Sequence, residues 1–110
     1  MKATLPIALI ADHDVGLLKE ATRLLREAEY QVLARLSPRG LLEIAEILRP
    51  ELLLLGISFW HAGWASLFRS ASPDTLIFPF GEDGAVPGVL GLKDVSALFA
   101  FPALGTSSAA

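Results

Sequence analysis

An α/β fold, with a parallel sheet covered by helices on both faces, follows from three features of the 110-residue sequence. Short apolar runs alternate with amphipathic stretches of helical period, and the connections between them are short. The runs are continuously apolar, as in Ile7-Ala8-Leu9-Ile10-Ala11 and Leu52-Leu53-Leu54-Leu55, which is the pattern of strands buried on both sides. Hydrophobic residues make up 53% of the chain and charged residues 19%, enough apolar material for one tightly filled core. The length is that of a single domain, expected to span residues 1–104, with 105–110 as a flexible tail.

The first strand ends at Asp12-His13-Asp14. Beyond it Leu17, Leu18, Ala21, Leu24, Leu25 and Ala28 recur at helical spacing opposite Lys19, Glu20, Arg23, Arg26 and Glu27, predicting a helix over Val15 to Ala28. Asp14 is placed to cap it by accepting from free backbone N–H groups. Tyr30 to Leu36 supplies the second strand. Ser37-Pro38 reads as a cap followed by proline in the first turn of a helix whose buried stripe is Leu41, Leu42, Ile44, Ala45 and Leu48, and Pro50 stops it.

The third strand runs from Glu51 to Ile57, and Trp64, Leu67 and Phe68 then fall at i, i+3 and i+4 on a short helix closed by Ser72-Pro73-Asp74. Thr75 to Phe80 is the fourth strand, with Pro79 at its end because proline cannot donate to a ladder. Gly81 to Gly88 is turn material, so the helix due between strands four and five is expected to be missing or vestigial. Val89 to Leu92 forms a fifth strand, and Asp94 caps a last helix that reaches Phe101 and stops at Pro102. The alternation gives a parallel sheet with right-handed crossovers, and the expected strand order is 2-1-3-4-5, that of a flavodoxin-like three-layer sandwich. Its crevice lies beyond the carboxyl ends of the strands, where Asp12, His13, Asp14, Gly56, Ser58, Phe80 and Lys93 should converge.

A net charge of −3 and a pI near 5.2 provide no footprint for a phosphate backbone, which argues against a nucleic-acid partner and against anionic membranes. With no cysteine there are no disulfides and no thiol catalysis. Met1-Lys2-Ala3-Thr4-Leu5-Pro6 leads into an apolar run too short to span a membrane and without a leader's cleavage pattern, so the default compartment is the cytoplasm. No Ser/His/Asp order, glycine-rich phosphate loop or paired-histidine metal motif occurs, and a non-enzymatic chain without cofactor or metal is expected.

Four segments, Ile10-Ala11-Asp12-His13-Asp14, Glu29-Tyr30-Gln31-Val32, Leu48-Arg49-Pro50-Glu51-Leu52 and Gly63-Trp64-Ala65-Ser66-Leu67, stand in the order and register of landmarks of a known family. Over roughly residues 5 to 80 the chain resembles the receiver domain of bacterial two-component response regulators. The resemblance implies a phosphorylated aspartate at the end of strand three, and Gly56 occupies that position. Glycine offers no oxygen nucleophile and no carboxylate. The family's paired acids after strand one correspond to Asp12 and His13, with Asp14 one step further on, so useful Mg²⁺ affinity is not expected. The family's hydroxyl at the end of strand four falls near Pro79-Phe80. Lys93 stands where the family carries a lysine, although Asp94 follows it instead of proline. The implied function is that of a pseudo-receiver, an interaction module for a kinase, an output domain or a second copy of itself. With the fourth helix absent, Val86, Val89, Leu90, Phe99 and Phe101 are open to burial by self-association, as a homodimer, or by another domain.

Other readings of the same residues remain open. Asp12 and Asp14 fit helix capping, and Lys93 fits a surface lysine near a helix start. His13-Asp14-Val15-Gly16 also resembles the His-x-x-Gly of cobalamin-binding domains, with Ser58 in that family's strand-end serine segment. Against it, Ala11 replaces the aspartate that orients the histidine, and Phe59, Trp60 and Phe80 would crowd a corrin. Trp60, beside His61, is either a partner-facing anchor or a plug for the space left at Gly56.

Overall fold

The computed structural model describes residues 5–81 and 89–98. Strands β1 (Ile7–Ala11), β2 (Gln31–Arg35), β3 (Leu52–Gly56) and β4 (Leu76–Phe80) form one parallel sheet in the order β2-β1-β3-β4. Helices α1 (Val15–Glu27), α2 (Arg39–Leu48), α3 (Ile57–His61), α4 (Trp64–Ala71) and α5 (Leu92–Leu98) complete the α/β architecture. Side chains alternate across the strands, and each set meets its own helices. Ala8, Ile10, Leu52, Leu54 and Phe80 pack with Leu18, Ala21 and Leu25 of α1 and Val95 of α5. Leu9, Ala11, Leu53 and Leu55 pack on the other side with Leu41 and Ala45 of α2 and Ala65 and Phe68 of α4. All five residues of β3 are buried, as continuous apolarity requires of a strand covered on both faces.

The expected fifth strand is a correction. Among the described residues the sheet has four strands, and Val89–Leu92 contributes only one parallel bridge, Phe80 to Leu90. The Leu90 N–H donates to the Pro79 carbonyl and the Gly81 N–H to the Leu90 carbonyl, each at 2.9 Å. The ladder goes no further because α5 begins at Leu92, only two residues later. Residues 82–88, where the vestigial helix was expected, lie outside the described residues, as do Phe99, Phe101 and the expected tail at 105–110.

Asp94 does not cap α5 from outside. It sits in the first turn, and its Oδ2 accepts from the Gly91 N–H at 2.9 Å, which is the reverse half of a capping box. Pro79 lies within β4, paired with Leu55, not at its last residue. The Leu76 N–H points at β3, donating to the Glu51 carbonyl, so the two-residue alternation turns the Pro79 nitrogen away from β3 and no ladder bond is lost. Leu48, expected in a buried stripe, is exposed, as is Leu67 beside the buried Phe68. Helix α2 ends through Arg49 in the left-handed region at φ 51°, followed by buried Pro50. Between β3 and β4 two helices stand in place of one, divided at Gly63, whose φ of 92° a side-chain-bearing residue would adopt only under strain.

Candidate functional site

The parallel register sets Ala11 of β1 beside Leu55 of β3, so Asp12 and Gly56 emerge as neighbours at the carboxyl edge of the sheet. The Asp12 N–H continues the ladder by donating to the Arg35 carbonyl at 3.2 Å. Asp12 is 3% exposed as a residue, and its Oδ1 accepts from the Asp14 N–H at 2.9 Å. Burial pushes the Asp12 carboxyl up from its ordinary value, and the Asp14 N–H bond together with the neighbouring His13 ring offsets part of that rise. Asp14 caps α1 as its sequence position predicts, Oδ1 accepting from the Leu17 N–H at 3.1 Å.

Gly56 is buried directly against this carboxylate. A β-carbon at Gly56 would lie 3.1 Å from Cγ and Oδ2 of Asp12 and 3.2 Å from the Ala11 carbonyl oxygen, closer than ordinary van der Waals contact. The atoms nearest that position therefore belong to Asp12 and Ala11 and not to Trp60. This contact is the site feature that sequence reasoning missed. Its signal was present: a glycine closing an all-leucine strand marks a close approach by another group.

His13 stands exposed at the rim. Its Nδ1 is 3.4 Å from the Ser58 Oγ and 3.7 Å from Oδ1 of Asp12, and its ring meets Phe59 edge-on at 6.3 Å between centroids. Serine, histidine and aspartate thus come together although the sequence lacks the usual order. The same ring nitrogen faces both oxygens, however, whereas a proton relay needs one imidazole nitrogen for each partner. The arrangement does not activate Ser58 in this way.

The residues also fail to fit a Mg²⁺ site. Among the described residues no group of three or more His, Asp or Glu side chains is gathered where it could hold a metal ion. Asp12 turns one oxygen to the Asp14 N–H and sets the other against Gly56, and His13 offers imidazole where a hard cation prefers oxygen.

Lys93 is exposed on the first turn of α5, which the Phe80–Leu90 bridge keeps at the carboxyl edge. Val89 leans on Gly81, its Cγ1 lying 3.3 Å from where a β-carbon would stand. Trp60 is half-buried against the α2/α4 side of the core, and the Arg69 guanidinium lies 5.6 Å from its ring centroid. His61 is exposed at the end of α3. Among the described residues no helix is long and apolar enough to cross a membrane. Neither the protein-family models nor the curated proteins yield a match to this chain, so its own geometry carries the functional reading.

Proposed function

We propose that this chain is a pseudo-receiver: a flavodoxin-like domain of the response-regulator kind that binds a protein partner and does not accept phosphate. The supporting observation is the carboxylate of Asp12 lying over Gly56. At the position where a phosphoacceptor would project there is neither a side chain nor room for one without displacement. The partner is a kinase, an output domain or a second copy, in the cytoplasm, and the chain acts without catalysis or cofactor. Incubation with acetyl phosphate and Mg²⁺, followed by intact-mass measurement, is expected to show no added phosphoryl group. A stable phosphoaspartate would overturn the proposal.

One observation favours a second reading, a small-ligand or cobalamin-type sensor: His13 is exposed at the crevice rim with Ser58 alongside. A spectral shift of an added cobalamin that disappears in His13→Ala would support it, and no shift would retire it.

A further inference from the structure

A second recessed surface lies away from the crevice, between α1 and β2, the last strand at one edge of the sheet. It is a groove of about 540 Å³. The floor is apolar: Leu18 is nearly buried, Ala34 is half-buried, and Thr22 turns its hydroxyl onto the Leu18 carbonyl at 2.7 Å. The rim is cationic, formed by Lys19, Arg23 and Arg26 with Glu27 as the one carboxylate among the lining residues. This sign opposes the −3 carried by the whole chain.

The three cations are not equivalent. Arg23 is held between Glu20 at 2.9 Å and Glu27 at 2.6 Å, so its charge is already answered. Lys19 and Arg26 have no ion pair among the described residues. They sit seven residues apart on one helix face, about 10 Å along the axis. An apolar floor with an unanswered cation toward each end complements a segment that is apolar on one side and carries two acids at matching separation.

We infer that this groove docks an acidic amphipathic segment of a partner protein, with carboxylates spaced to meet Lys19 and Arg26 and small apolar side chains on Leu18 and Ala34. The inference deepens the interaction-module reading and rests on it, by naming the surface and the chemistry of the partner. A nucleic acid fits less well: two unanswered cations make too short a track, and the acidic remainder of the chain repels a polyanion. A membrane fits less well because the apolar floor is recessed behind charged rims, whereas an interfacial helix presents its apolar face outward.

The test is selection of displayed random peptides of about 16 residues, long enough to form a helix on binding, against the full chain. Enriched sequences are expected to carry Asp or Glu seven residues apart with apolar residues at i, i+3 and i+4 between them. Their affinity should fall by at least about tenfold for Lys19→Glu/Arg26→Glu and less for the milder Arg26→Gln. Both positions are exposed, and unchanged circular-dichroism melts would show that the variants remain folded. Lysine-substituted peptides should bind the double Glu variant better than the parent. Failure to enrich acidic peptides, or acidic peptides indifferent to these substitutions, overturns the inference. Sedimentation with phosphatidylglycerol vesicles that the same substitutions abolish, without peptide enrichment, also overturns it and assigns the groove to lipid. None of these outcomes bears on phosphate acceptance, which the mass measurement reads separately.

Discussion

Two adjacent strands end differently at the same edge of the sheet. β1 delivers Asp12, His13 and Asp14, and its two carboxylates are engaged by backbone N–H groups around the first turn of α1. β3 delivers a bare α-carbon and runs directly into α3. The two ends are complementary, since the buried carboxylate of the first lies in the room that a side chain on the second would need. A missing side chain at a strand end therefore need not leave a hollow; here it permits burial of a neighbouring acid.

The substitution that would break this complementarity most severely is Gly56→Asp. It forces a second carboxylate against the first and is expected to destabilise the fold by about 3 kcal/mol, measured by urea unfolding. Adding Asp12→Ala should recover more than half of that loss; no recovery would mean that crowding at Gly56 has another source. Asp14→Ala probes the β1 end alone. Removing the cap of α1 should cost about 1 kcal/mol in the same assay, with no change at the Gly56 contact.

A subtler difference between the ends is expected in pH dependence. Burial raises the folded-state pKa of Asp12, so the folded chain holds this proton more tightly than the unfolded chain. The ionised group then weakens the fold, fully above the raised value, and the penalty fades as pH falls through it toward the ordinary carboxylate value. Asp12→Asn removes this contribution, so the variant's stability should gain on the parent's as pH rises through that window. Parallel curves would show that Asp12 ionises as easily folded as unfolded. The smallest effect belongs to Ser58→Ala, within about 0.5 kcal/mol, because its contact with His13 is exposed and long.

Much of this fold was legible in the sequence because its strands are buried on both faces and its helices carry clear apolar stripes. The capping by Asp14 follows from that patterning, whereas the β2-β1-β3-β4 order agrees with an expectation that patterning alone does not fix, since doubly wound parallel sheets take more than one order. The fifth strand was not legible, because Val89–Leu92 has the composition of a strand while its fate depends on where α5 starts. Leu48 and Leu67 fit the helical period, but the period does not specify which flank of the helix the sheet covers. At the site, sequence separation and strand register together bring Asp12 and Gly56 to one edge. The direction in which the Asp12 side chain leans is a tertiary fact, hinted at only by the glycine.

The outward-facing nitrogen of Pro79 has a consequence beyond the ladder of this chain. A rim strand with a full row of free donors is a template for foreign β-segments, and templating of that kind is how aggregation and fibre growth begin. At residue 79 that row has no donor, and the Pro79 carbonyl and the Gly81 N–H beside it are already bonded to Leu90, so an invading strand would find little to pair with there. Proline and the Leu90 bridge together leave this end of the rim a poor template.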